Sequence, residues 1–234
     1  MSVIRQNLQA VRQRITDAAN SAQRDVHGVE LLAVSKTFGA DAVIAAAEAG
    51  QAAFGENYLQ EALEKIAAVQ ATRPDLELEW HFIGPIQSNK TRPIAEHFDW
   101  VHSVDREKIA HRLSEQRPAH LPPLNICLQV NISGEASKSG VLPTDVIAVA
   151  QAIAALPRLR LRGLMAIPEA EGDAEQQRAP FRQLHALFDQ LRAEGLALDT
   201  LSMGMSGDMA AAIAEGATIV RIGSAIFGTR DYAK

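Results

Sequence analysis

Lys36 closes the stretch Leu31-Leu32-Ala33-Val34-Ser35-Lys36, where a β-type apolar run gives way to Thr-Phe-Gly. That pattern predicts a strand ending in a loop. A lysine at the end of a buried strand points into the mouth of the fold. Desolvation there favours the neutral amine, a nucleophile towards aldehydes. The competing reading is a strand-end lysine that snorkels to solvent. Two other segments suit a phosphate. Ser206-Gly207-Asp208-Met209 precedes the helical run Ala210–Glu215, and helix starts bind anions through unpaired amides. Ser206 or Asp208 would otherwise serve as a simple helix cap. Val220-Arg221-Ile222-Gly223-Ser224 places a glycine after an apolar run, where backbone can approach a ligand closely. A reactive lysine facing a phosphate cradle implies a phosphorylated carbonyl compound, either a phosphosugar or pyridoxal phosphate.

These residues need elements to position them. Candidate strands are Leu31–Ser35, Ala52–Gly55, Trp80–Ile83, Trp100–His102, Leu124–Val130, Leu161–Met165, Thr200–Met203 and Thr218–Ile222. Helical patterns fall between them at Ala40–Ala49, Tyr58–Ala68, Arg92–His97, Arg106–Glu115, Pro143–Ala155, Pro180–Glu194 and Asp208–Glu215. The alternation predicts an α/β fold, a (β/α)8 barrel preceded by an extra helix over Val3–Ala19. A doubly wound open sheet competes, but no Gly-x-Gly-x-x-Gly follows the first strand. In a barrel the active mouth lies at the strands' C-terminal ends. Lys36, Glu56, Asn57, Ser103, Asn131, Ser206, Gly207, Gly223 and Ser224 then form one ring. Phosphate sites in barrels commonly use the loops after strands seven and eight, where the two cradle segments fall.

Composition narrows the partners. The chain has 234 residues, 47% hydrophobic and 22% charged, with a formal net charge of −5. That balance gives no reason to expect nucleic acid or an anionic membrane. No apolar stretch approaches membrane-spanning length, and the amphipathic start lacks a signal-peptide core. One cysteine, Cys127 in the run Leu124 to Val130, reads as a small core hydrophobe in a reducing, cytoplasmic compartment. His81 and His102 fall inside strands and read as satisfied structural residues. No His/Asp/Glu cluster has metal-ligand spacing.

The motifs together resemble a known family. They are Leu-Leu-Ala-Val-Ser-Lys36-Thr-Phe, Phe54-Gly55-Glu56-Asn57-Tyr58, Trp80-His81-Phe82-Ile83-Gly84, Gln87-Ser88-Asn89-Lys90, Gly163-Leu164-Met165, Ser202-Met203-Gly204-Met205-Ser206-Gly207-Asp208 and Arg221-Ile222-Gly223. This set is similar to the pyridoxal-phosphate homeostasis proteins, single-domain relatives of alanine racemase often called the YggS family. The likeness runs from about Val3 to Tyr232. It implies a fold-type III barrel, one domain over residues 1–234, with pyridoxal 5'-phosphate held as a Schiff base on Lys36. By the same resemblance Ser206, Gly207, Gly223 and Ser224 hold the phosphate and Asn57 lines the pocket by the ring. In the related racemases an arginine two residues before the phosphate-binding glycine contacts the pyridine nitrogen, a role the resemblance implies for Arg221. A guanidinium is a donor that keeps its proton, so it leaves that nitrogen unprotonated and weakens the cofactor as an electron sink. Pairing of Arg221 with a carboxylate or with the phosphate is the alternative.

Racemisation needs a base on each face of the substrate; in the alanine racemases that this chain resembles the second base is a tyrosine from another domain, and here Tyr58 and Tyr232 have no obvious claim to that post. The expectation is therefore a binder and carrier of pyridoxal phosphate, without catalytic residues, in vitamin B6 homeostasis. A weak amino-acid racemase is the alternative; a Schiff-base aldolase would want proton-transfer groups, and only Glu56 stands near. Lys138, in Ser137-Lys138-Ser139-Gly140, is implied by the resemblance to assist cofactor exchange; a solvated loop lysine is the plain alternative. Lys234 would act similarly, without geometry to support it. Expected partners are the cofactor itself and pyridoxal-phosphate-dependent apo-enzymes, with the chain a monomer.

Overall fold

The computed structural model describes residues 2–135, 138–168 and 173–228. In it the apolar runs become eight parallel strands closed into a barrel in chain order. They are β1 (Glu30–Val34), β2 (Ala53–Glu56), β3 (Glu79–Phe82), β4 (Trp100–Val104), β5 (Leu124–Gln129), β6 (Leu159–Met165), β7 (Thr200–Ser202) and β8 (Ile219–Ile222). The helices are α1 (Val3–Ser21), α2 (Ala40–Glu48), α3 (Leu59–Thr72), α4 (Thr91–His97), α5 (Glu107–Gln116), α6 (Val146–Ala154), α7 (Ala174–Ala193), α8 (Met209–Ala214) and α9 (Ser224–Phe227). Each predicted strand is present, its ends moved by one or two residues. Closure comes from β1 pairing with both β2 and β8, with Leu32 opposite Arg221 and Val34 opposite Gly55.

Strands buried on both faces alternate between two environments. Phe54, Phe82, Val101, Ile126, Leu164, Leu201 and Val220 belong to the main apolar layer that also takes in the helices. Separate small groups form elsewhere: Leu32, Ala53 and Ile219 in one, Trp100, Cys127 and Met165 in another. Cys127 is fully buried, and burial pushes its thiol up to about 12, so it packs as an inert hydrophobe.

Helix α1 buries Leu8, Val11, Ile15 and Ala19, a helical stripe. Its polar side chains tie it to loops at both ends of the barrel. Asn7 donates to Ile226 O at 2.8 Å, Arg14 to Ser206 O at 3.2 Å and Arg12 to Ala49 O at 3.1 Å.

Helix α7 departs from expectation. The helical pattern in the sequence predicts Pro180–Glu194. The helix instead begins at Ala174, because Asp173 accepts from the amides of Glu175 and Gln176 while Gln176 returns a bond to Asp173 N. This capping box outweighs the proline, which sits inside the helix. Helix α9, a single turn after β8, was not anticipated.

Candidate cofactor site at the strand C-termini

Lys36 follows β1 in a turn and is exposed. The expectation that it would be withdrawn from bulk water is therefore corrected: the protein's own atoms do not supply the desolvation. What the protein supplies is position. Thr37 takes φ 69°, a costly conformation for a β-branched residue, and its N–H donates to Glu61 Oε1 at 2.5 Å. On the other side, Ser35 Oγ donates to Glu56 Oε1 at 2.6 Å. Lys65 joins the two arms, reaching Glu56 at 2.6 Å, Glu61 at 3.0 Å and Ser35 O at 2.8 Å. The backbone either side of Lys36 is thus anchored to a buried ionic cluster. Burial raises the Glu56 carboxyl above its ordinary range, and Lys65 partly offsets that rise. Glu56 Oε1 is committed to this support, while its Oε2 is buried and has no hydrogen-bond partner among the described residues. Lys65 was missed in the sequence. Its signal is a charge at the helical spacing of Ala62 and Val69, on the buried face of α3.

Because β1 lies between β2 and β8, Lys36 is flanked by the strands that carry Asn57 and Arg221. Arg221 is 4% exposed. Its Nη1 donates to Ser202 Oγ at 2.8 Å and its Nη2 to Ala166 O at 3.0 Å. Among the described residues these partners are neutral, so the carboxylate pairing considered above is not made. Burial lowers the guanidinium to about 10, which leaves it charged at neutral pH. Asn57 Oδ1 is buried and has no hydrogen-bond partner among the described residues.

The two phosphate segments lie on the loops after β7 and β8. Ser206 is half-buried, and Gly207 and Ser224 are exposed. Asp208 precedes α8, but its Oδ1 turns back to accept from Met205 N at 2.6 Å and makes no cap bond to the helix. Gly223 has a plainer reason than ligand approach. A Cβ there would lie 3.1 Å from Val34 O, so the glycine lets β8 close against β1.

A cavity of about 310 Å3 adjoins this shelf and is lined by Asn57, Ser103, Gln129, Asn131 and Lys138 among others. Lys138 pairs with Glu135 at 3.3 Å. Asn131 organises that loop, donating to Glu135 O and Lys138 O. The predicted residues therefore fall into two adjoining groups. Lys36, Ser206, Gly207, Arg221, Gly223 and Ser224 occupy the loops and strand ends of β7, β8 and β1. Asn57 and Lys138 line the cavity beyond β2. Tyr232 and Lys234 lie outside the described residues.

The alanine racemase N-terminal domain family matches residues 6–231. The pyridoxal phosphate homeostasis protein of Pseudomonas aeruginosa is 64% identical over 99% of this chain and 98% of its own length. The chain belongs to the pyridoxal phosphate homeostasis proteins. Among solved members of this group, PipY of Synechococcus elongatus with PLP bound is 38% identical, with a TM-score of 0.81, covering 96% of this chain and 100% of PipY. Alanine racemase from Corynebacterium glutamicum shares the barrel at a TM-score of 0.71 and 17% identity, and the homeostasis chain spans 61% of it. That last likeness is one of fold.

Proposed function

We propose that this chain binds pyridoxal 5'-phosphate covalently through Lys36 and holds or carries it in intracellular vitamin B6 homeostasis, without turning over a substrate. The observation that carries the reading is Arg221, a buried guanidinium with neutral partners on the strand beside Lys36. A buried cation calls for an acceptor, and a pyridine nitrogen is one. The orphaned Asn57 Oδ1 and the small, polar loops after β7 and β8 fit a compact polar ligand. PipY, bound to PLP, is the matching precedent among relatives.

Pyridoxal phosphate, when bound, supplies an aldehyde and an electron-withdrawing ring. Lys36 would hold the group covalently through its side-chain amine. Arg221 would donate to the ring nitrogen and hold it without a proton, which would disfavour carbanion chemistry. Ser206, Gly207, Gly223 and Ser224 hold the phosphate, and Asn57 borders the ring. Tyr58 is 54% exposed at the start of α3, a poor position for a second base. Lys138, across the cavity, guides the ligand as it leaves for an apo-enzyme. The chain works as a cytoplasmic monomer, a state that size-exclusion with light scattering checks.

Borohydride reduction of the yellow complex followed by peptide mass spectrometry tests the anchor. Label on Lys36, absent in Lys36→Ala, supports it; label on another lysine overturns it. Solvent-deuterium exchange at Cα across an amino-acid panel tests the non-catalytic part. Exchange that vanishes in Lys36→Ala would make this an enzyme. Transfer to an apo-enzyme at an unchanged rate in Lys138→Ala would remove that lysine from exchange.

A further inference from the structure

A continuous hydrogen-bonded chain runs through the barrel from Arg221 to the opposite mouth. Arg221 Nη1 meets Ser202 Oγ at 2.8 Å, and Ser202 Oγ meets His102 Nδ1 at 2.7 Å. His102 Nε2 meets His81 Nδ1 at 2.8 Å, and His81 Nε2 meets Glu79 Oε1 at 2.8 Å. Ser202, His102 and His81 are fully buried. Glu79, the first residue of β3, has a side chain 46% exposed. Trp100 stacks on His81 at 5.3 Å, with the rings inclined by 5°, and fixes its plane. The sequence showed two histidines inside strands, but their linkage arises only when β3, β4, β7 and β8 close around one interior.

The ends of this chain dictate its polarity. Arg221 has donors and no acceptor, and an ionised carboxylate has acceptors and no donor. The Glu79 carboxyl is held below its ordinary range, first by the bond from His81. Burial first, and then the nearby Arg221 guanidinium, keep His102 well below the usual imidazole range, hence neutral. If each ring carries a single proton, one ordering satisfies every link. Ser202 O–H donates to His102 Nδ1, His102 Nε2–H to His81 Nδ1, and His81 Nε2–H to Glu79. The reverse tautomers would set a ring lone pair against the carboxylate. Ser202 Oγ then keeps its lone pairs for Arg221 Nη1.

We infer that Glu79, His81, His102 and Ser202 are positioning residues for Arg221: Glu79 sets the imidazole tautomers from the far mouth and so orients the guanidinium that meets the pyridine nitrogen. This rests on the assignment of Arg221 to that nitrogen. The bottom of the barrel is thereby coupled to the electronics of the site at its top. Glu30, Glu79 and His81 also place ligand-type atoms within 4.8 Å of one another, a grouping invisible in sequence spacing; His81 Nε2 is already engaged by Glu79.

The test starts on the cofactor-free protein, with nitrogen-15 NMR of the histidine rings. Both His81 and His102 are expected as Nε2–H tautomers with Nδ1 accepting. Glu79→Ala should disturb the His102 signature and Glu79→Gln, which keeps an acceptor, should restore it. With pyridoxal phosphate added, Glu79→Ala should move the absorption maximum of the bound form and weaken binding by about tenfold, the low end of the cost of lost outer-shell support. Ser202→Ala, which cuts the link next to Arg221, should give the same spectral change. An Nδ1–H tautomer of His102 in the unsubstituted protein overturns the inference. So does a Glu79→Ala protein whose ring signals, or whose bound-cofactor spectrum, are unchanged. Failure of the underlying assignment reads differently: Arg221→Gln itself would leave the bound spectrum unmoved.

Discussion

Glu56 and Lys65 carry opposite charges where neither side chain reaches water, their exposures being 0% and 3%. Two ions withdrawn from solvent are tolerable only while they remain paired and hydrogen-bonded. Glu56→Gln should therefore lower stability by about 1–3 kcal/mol, since Lys65 loses its nearest counter-charge and keeps only Glu61, whose side chain is partly exposed, and Ser35 O. Denaturant titration measures the loss. Glu56→Gln combined with Lys65→Met should recover most of it, as no buried cation remains. If the single variant is as stable as the parent, the cluster does not anchor the turn around Lys36.

At the scale of elements, close approaches decide where site residues stand. Gly84, just beyond β3, faces the backbone of Asn57, and a Cβ there would lie 2.1 Å from Asn57 O. Backbone cannot yield as a flexible side chain can, so Gly84→Ala should cost about 1–3 kcal/mol and push Asn57 off its position. A fall in melting temperature together with weaker pyridoxal phosphate binding is the expected pair. A fall in stability with unchanged binding would show that Asn57 does not border the ligand. Helix α7 offers a control remote from the site. Asp173→Ala removes both cap bonds and should cost about 1 kcal/mol while leaving binding unaltered.

For the whole molecule, the buried His102 links stability to pH. Its folded value is depressed, so below the unfolded imidazole value of about 6.5 the unfolded chain takes up a proton that the folded one refuses. The contribution of His102 thus weakens the fold as pH falls from about 6.5, by at most about 1.4 kcal/mol per pH unit. Unfolding free energies of the parent minus those of His102→Asn, taken from pH 7 to 5, should decline in that sense. A difference independent of pH would mean that His102 titrates normally in the folded protein.

Much of the molecule is written locally. Apolar runs of strand length alternating with helical stripes specify a barrel, because period and length follow from backbone geometry. Lys36 and Arg221 are legible as candidates because a charged side chain is unusual at a buried strand end, and Ser206-Gly207 and Gly223-Ser224 because they fall in the loops after the last two strands. Tertiary closure decides the remainder. The exposure of Lys36, the close contact of Gly223 with β1, the Glu56–Lys65 support and the chain from Glu79 to Arg221 all join residues distant in sequence. A lysine on a helix and two histidines within strands look alike in sequence whether they are solvated, satisfied or linked. Only the register of eight strands around a common interior determines which atoms meet, and hydrogen bonds depend on that meeting to within a few tenths of an ångström.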